Sequence, residues 1–224
     1  MRGLFDIAGP IMVGPSSSHT AGAVRLGAMA RIILGERPAE AQIKLHGSFA
    51  QTYRGHGTDK ALIGGLLGFA PDDERIKTAL TLAAEHGLKY TFSTVELPDV
   101  HPNTALLELT GVSGQMRRVT GASVGGGNIL ITRIDGYPVR VTGQYHTLIT
   151  IHDDKPGVIA VVTKRLAEEG VNIAFMQVSR QERGEEALMV IEADEAIPAE
   201  ALPPIRAVAA MKAVLSVPAL GGSV

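Results

Sequence analysis

Leu148-Ile-Thr-Ile-His-Asp153 alternates apolar and polar residues, the pattern of a strand with one buried face. Pro156 follows at an N1-like position and opens a helix predicted through Glu169, where Gly170 stops it. Val171 to Ser179 reads as a strand, Arg180 to Glu185 as a turn, and Ala187 to Ala193 as a second strand. Pro198 opens another helix to about Ala210, in which Pro203-Pro204 demands a kink or a late start. Ala213 to Val217 closes the series. The order β-α-β-β-α-β is the split βαβ arrangement, an antiparallel sheet with both helices on one face. Topology of this kind carries no function by itself.

The chain changes character near residue 143, where compact periodic segments give way, reading backwards, to irregular Gly-rich and His-rich stretches. Thr20 to Leu34 has apolar residues at helical spacing, with Thr20 or Ser18 as the expected N-cap. Ala41 to Gly47 reads as a strand, and Thr58 as the cap of an apolar helix through Leu67. Gly14-Pro-Ser-Ser-Ser-His-Thr20 and Gly55-His-Gly-Thr-Asp59 are therefore expected to be polar loops feeding helix starts. A further helix is expected from about Asp73 to His86, closed by Gly87. Strands follow over Lys89 to Leu97, Thr104 to Thr110, Gln115 to Thr120 and Asn128 to Ile134, and Asp135-Gly136 turns into Tyr137 to Val141.

Composition removes several classes of function. With 45% hydrophobic and 20% charged residues, the 224-residue chain buries a core rather than staying disordered. Lys plus Arg (21) against Asp plus Glu (23) leaves a net charge of −2 and no basic patch suited to nucleic acid. There is no cysteine, hence no disulfide, thiol nucleophile, zinc ribbon or thiolate-held iron–sulfur cluster in this chain. Met1 to Pro10 has an acid inside its apolar run and no leader-like core, and no 18-residue apolar run follows. A cytoplasmic protein without a membrane partner is expected.

Both polar loops share one physical property. A helix N-terminus presents unpaired N–H groups and a positive dipole end, so a Ser/Thr/Gly-rich entry loop can hold a carboxylate or phosphate. Ser16, Ser17, Ser18 and Thr20 add hydroxyls and His19 an imidazole to one such end; His56, Thr58 and Asp59 stand at the other. Ser18, Thr20 and Thr58 are equally readable as plain helix caps, and the joint occurrence favours a site. His101-Pro-Asn-Thr104 is a weaker third cluster of ordinary turn residues. Gly121 to Asn128 lacks the endings of a P-loop or a dinucleotide fingerprint and reads as a tight strand connection. No Gly-x-Ser-x-Gly elbow supports a hydrolase, and no His-x-x-x-His pair supports a metal site. His46 and His86 read as structural or surface residues, and His146 as part of the linker.

Taken together, Gly14-Pro-Ser-Ser-Ser-His-Thr-Ala-Gly22, Leu45-His-Gly-Ser-Phe-Ala-Gln-Thr52, Gly55-His-Gly-Thr-Asp59 and His101-Pro-Asn-Thr104 resemble the beta subunit of the two-chain, iron–sulfur-dependent bacterial L-serine dehydratases. Asp154-Lys-Pro-Gly-Val158 and Gly170-Val-Asn-Ile173 resemble the helix-entry and second-strand motifs of ACT domains. The resemblance implies an α+β chain: a mixed α/β serine dehydratase beta domain over residues 1–143, then a ferredoxin-like βαββαβ ACT domain over 147–220. It implies deamination of L-serine to pyruvate and ammonia, with a four-iron four-sulfur cluster acting as Lewis acid. The missing cysteines put that cluster on a separate, cysteine-containing alpha chain.

Under that resemblance His56 is the first choice for a catalytic, proton-handling imidazole. His19, with Ser16, Ser17, Ser18 and Thr20, would position the substrate carboxylate or line the cluster face. Thr58, Asp59, His101 and Asn103 would orient the substrate. The likeness to serine-binding ACT domains points to His152, Asp154 and Asn172, although those domains commonly have Asn where Asp154 stands. A carboxylate there repels a ligand carboxylate and favours an ammonium group or a cation. A ligand-free, ACT-mediated homodimer is the other reading of that domain. The rival for the whole chain is a non-catalytic ACT-containing sensor of serine or a related metabolite.

Overall fold

The computed structural model describes residues 12–220; Met1 to Pro10, read above for a leader, lie outside the described residues. Two compact units part between Gly136 and Tyr137.

The first unit is a sheet backed by helices. Helix α1 (Gly22–Leu34) buries Val24, Leu26, Met29, Ala30 and Ile33 and ends at the left-handed Gly35. Strand β1 is Pro38–Leu45, followed by α2 (Gly47–His56), α3 (Thr58–Leu67), a 3-10 turn Glu74–Thr78 and α4 (Ala79–Glu85). Strands β2 (Lys89–Thr94), β3 (Thr104–Gly111), β4 (Met116–Gly125) and β5 (Asn128–Ile134) complete it. The strands lie in the order β2-β1-β3-β4-β5, with β1 and β2 parallel and the remaining pairs antiparallel. Ile43, Leu45, Leu107, Val119 and Ile131 are fully buried, while Lys44 and Arg118 both pair with Glu108 at 2.7 and 2.8 Å.

Helices α1 and α3 touch backbone to backbone. A Cβ on Gly27 would stand 2.3 Å from the Leu62 carbonyl, and one on Gly65 2.1 Å from the Val24 carbonyl. Only hydrogen fits at both positions, so the glycines set the helix separation and with it the spacing of the two helix starts.

Four expectations change here. The cap of the first helical segment is Ser16, not Ser18 or Thr20: its hydroxyl accepts the His19 N–H ahead of a π-helical turn, Ser17–Ala21. Residues 47–56 form a helix rather than a loop, so His56 is the last residue of α2. That helix buries only Phe49 and has glycines at 47 and 55, which left no apolar stripe to read. Thr58 is not a side-chain cap; the left-handed Gly57 (φ 70) reverses the chain between α2 and α3, and Thr58 is buried. The run Gly121 to Asn128 is divided, with β4 reaching Gly125 before the turn.

The second unit opens with β6 (Tyr137–Val141) and continues through β7 (His146–Asp153), α5 (Val158–Glu168), β8 (Ile173–Arg180) and β9 (Glu186–Ala193). A 3-10 turn Ala199–Ala201, α6 (Leu202–Arg206) and β10 (Met211–Val217) follow. The sheet order β10-β7-β9-β8, antiparallel throughout, is the expected ferredoxin-like α+β arrangement. Val162 and Leu166 of α5 and Ile205 of α6 share one core with Leu148, Met189, Ile191 and Val214 of the sheet. His146 begins β7 rather than sitting in a linker. The α5 helix starts at Val158, after the left-handed Gly157, and the second helix is short because Pro203 and Pro204 lack the N–H groups to continue an earlier start. No helix among the described residues is long and apolar enough to cross a membrane.

Candidate active site

The Ser/His loop and the end of α2 meet at two imidazoles. The His19 backbone N–H is held by Ser16 Oγ at 3.2 Å, which fixes the ring's place in the π turn. Its Nε2 lies 3.2 Å from Ser48 Oγ in the first turn of α2. The ring packs edge-on against Phe49 (centroids 5.3 Å apart) and against His56 (4.9 Å). Burial lowers the His19 pKa from its usual value, and the neighbouring His56 lowers it further. The neutral form of His19 is therefore favoured, and in that form one ring nitrogen donates and the other accepts.

Beside this pair lies a cavity of about 220 Å³, lined by Thr20, Arg54, His56, Lys60 and Lys77 together with the Gly14-Pro15 loop. None of its lining residues is acidic. Thr20 is buried and its hydroxyl has no hydrogen-bond partner; Thr58, outside the cavity lining, is buried and unpartnered as well. A buried hydroxyl without a partner is costly, so a ligand with acceptor oxygens is well matched to this wall. Larger concavities exist, about 680 Å³ beside His46 and about 410 Å³ across β1, β3 and β4, but neither contains the histidine pair.

The other nominated residues divide. Ser17 and Ser18 lie half-buried in the π turn. Asp59 accepts the Lys60 N–H at 2.8 Å, a local bond in the first turn of α3. The exposed His101 receives the Asn103 N–H on Nδ1, and the Asn103 carbonyl accepts the Ser123 N–H. The 101–104 loop instead abuts the start of α2: a Cβ on Gly47 (φ 56) would stand 2.6 Å from the Pro102 carbonyl. Its visible job is to place α2. Ser48, Arg54 and Lys60 had no role assigned from sequence, and Ser48 lies within one of the quoted motifs. His46, read as structural, accepts the Leu97 N–H on Nδ1.

The family model for the serine dehydratase beta chain matches residues 3–91, which include both histidines and the basic cavity. The chain is 46% identical to the "Probable L-serine dehydratase, beta chain" of Bacillus subtilis (strain 168), over 88% of this chain and 89% of that one. It is 41% identical to the "L-serine dehydratase, beta chain" of Peptoniphilus asaccharolyticus, over 85% and 86%. The chain belongs to the serine dehydratase beta-chain family. A D-3-phosphoglycerate dehydrogenase of Synechocystis sp. is 31% identical over 84% of this chain but only 34% of its own length. Among the described residues of this beta chain, no three His, Asp or Glu side chains converge as a metal site. With no cysteine in the sequence, the donor set does not fit an iron–sulfur cluster.

The ACT family model matches residues 146–210 of the beta chain. His152 is buried, with Nδ1 2.9 Å from the Asp153 carbonyl and Nε2 unpartnered. The Asp154 carboxylate is already engaged, accepting the Gly184 N–H at 3.0 Å and Arg180 Nη1 at 2.6 Å. Those bonds, the Gly184 one first, hold its pKa below the usual carboxylate range. Asn172 donates to Asp194 at 2.7 Å. Asp154 adjoins the start of β9, where its N–H bonds Glu185, and Asn172 adjoins the end, so within one chain the two stand about 25 Å apart.

Proposed function

We propose that this chain is the substrate-side subunit of a two-chain L-serine ammonia-lyase, forming pyruvate and ammonia. The contact between His19 and His56 beside a cavity whose charged lining residues are all basic carries the reading. Names of the beta-chain relatives support the substrate. The cluster is proposed to sit on a cysteine-containing alpha chain and to supply Lewis acidity there. This chain's part is to hold the carboxylate and to move a proton.

In this reading Lys60 and Arg54, with the Thr20 hydroxyl, receive the carboxylate of L-serine, and Thr58, buried at the start of α3, orients the substrate from behind them. His56, at the cavity wall, takes the Cα proton. Neutral His19 is oriented by Ser16 and Ser48 and stands ready to share that proton. Ser17, Ser18 and Asp59 shape the two helix starts, while His101 and Asn103 act through the placement of α2. The ACT unit is assigned to pairing with a second copy, which the exposed Phe175, Met176 and Val178 of edge strand β8 support, and His152, Asp154 and Asn172 would share a small ligand only across such a pair.

A sensor is the second reading, favoured by one observation: most of the chain is matched within a D-3-phosphoglycerate dehydrogenase, whose name describes a different reaction. Anaerobic reconstitution separates the two. A cysteine-containing partner that copurifies and a complex that forms pyruvate from L-serine support the enzyme. A colourless homodimer that binds serine and gains no activity with the partner overturns it.

A further inference from the structure

Helix α2 is held on one side only. Phe49 is its one buried residue, while Gln51, Arg54, Gly55 and His56 are exposed. Arg54 and His56 nonetheless line the cavity beside the histidine pair, where Lys60 and Lys77 are exposed as well. Charged contacts in a site strengthen when water is excluded, and these four groups face solvent.

Gly55 sharpens the point. It is not among the glycines with positive φ, and a Cβ on it would meet nothing within 4 Å. Glycine inside a helix is less stable than alanine there. Neither backbone conformation nor packing within the chain calls for it at position 55, whereas a group from outside the chain lying against the bare Cα would.

An aromatic ridge adjoins this helix end. Strand β2 is the last in its sheet, and the pairing of Tyr90 with Ala41 and of Phe92 with Ile43 turns both rings to the helix-covered face. Tyr53 of α2 stacks on Phe92 with centroids 5.8 Å apart, and Tyr90 meets Phe92 edge-on at 5.9 Å. The Arg54 guanidinium lies 5.4 Å from the centre of the Tyr53 ring. All three rings are half-buried at a sheet edge, and Tyr, Phe and Arg are the residues that anchor protein interfaces. Arg54 belongs to both ridge and cavity, so a surface that covers the one closes the other.

The charges select the partner. Every charged residue lining the cavity is basic, which suits an anionic surface such as one rich in thiolates. A second copy docking here about a two-fold axis would set the same cations against each other.

We propose that Tyr53, Arg54, Gly55 and His56 of α2, with Tyr90 and Phe92 of β2, form the surface on which the cysteine-containing alpha chain docks, approaching closest at the Cα of Gly55. The inference rests on the two-chain reading above.

Anaerobic titration of the beta chain with the alpha chain, read as a dissociation constant without turnover, tests it. Gly55→Ala should raise the urea midpoint of the beta chain alone, yet weaken the complex by about tenfold or more. Tyr53→Ala and Tyr90→Ala should each weaken it by about tenfold or more. Met116→Ala, at an exposed apolar position on β4, should leave it unchanged. Full-strength assembly of all three ridge variants overturns the docking surface and leaves the two-chain reading standing, whereas no affinity in the unaltered chain overturns both. Normal assembly of Gly55→Ala with a raised KM for L-serine would put the substrate against Gly55 instead, and self-association lost in the ridge variants would put a second copy there; either result overturns the proposal. Should a tyrosine variant fail to fold by circular dichroism, Gly55→Ala, which adds one methyl group in open space, decides.

Discussion

The imidazole of His56 stands edge-on to that of His19 at 4.9 Å, across two chain segments separated by a helix, a strand and most of a second helix. The His19 ring is not placed by its neighbours in sequence alone. Ser16 and Ser48 position it, and the reversal at Gly57 positions His56. If the pair handles the substrate proton, His56→Ala should lower kcat of the reconstituted enzyme by roughly 10²- to 10⁴-fold and His19→Ala by at least tenfold. Both should melt close to the unaltered chain, and near-normal turnover in either would remove that residue from the mechanism.

The same contact predicts a titration. Burial and then His56 lower the His19 pKa, so between that value and 6.5 the unfolded chain binds more protons than the folded one. Stability should therefore fall as pH drops below 6.5. Followed by NMR, the His19 ring should titrate below 6.5 and move part-way back up in His56→Ala, because burial remains. A His19 resonance that does not respond to the substitution would show the two rings to be electrostatically independent.

Ser48 reaches His19 Nε2 at 3.2 Å from the first turn of α2. Ser48→Ala should cost about 1 kcal/mol in urea unfolding and loosen the ring's orientation. Turnover should fall by less than in His19→Ala, with the pH profile of kcat displaced and Ser48→Thr restoring much of it. An unshifted profile would leave Ser48 a packing residue.

Gly27 and Gly65 are where α1 and α3 touch. Alanine at either position meets a carbonyl that cannot move without the helix. A loss of about 1–3 kcal/mol is expected for each, measured by urea denaturation. Since these helices follow the His19 and His56 segments, turnover per folded molecule should drop too; an unchanged midpoint would contradict the contact.

Asp154 binds Arg180 and the Gly184 N–H, and its pKa is lowered from 3.8. The stabilisation is present above 3.8 and lost as pH falls through the lowered value. Amide exchange in the 180–185 hairpin should quicken in Asp154→Asn at neutral pH and converge with the unaltered chain in strong acid. Equal exchange at neutral pH would mean the ion pair does not hold the hairpin.

The second unit was nearly all legible, since its strands and helices carry their own periodicity and glycine stops; the shifts are the helix start after Gly157, the shorter second helix Leu202–Arg206 at Pro203-Pro204, and His146, which begins β7. The first unit was less so. Helix α2 has one buried side chain and two glycines, so its helicity comes from what surrounds it, including the Pro102 loop against Gly47. His19 and His56 could be nominated from their polar, glycine-flanked settings. Ser48, Lys60 and Arg54 could not, because nothing local distinguishes them from surface residues.

The amino-acid order by itself determined the α+β class, the βαββαβ order and the exclusion of any thiolate chemistry from this chain, because those depend on residue type and on repeats of a few positions. Tertiary structure alone decided that His19 meets His56, that the adjoining cavity is lined by cations, and that Asp154 is already neutralised by Arg180. Each of these is a distance between residues far apart in the chain. Such distances follow from how helices and strands pack, through contacts like Gly27 against Leu62, and no local pattern encodes them.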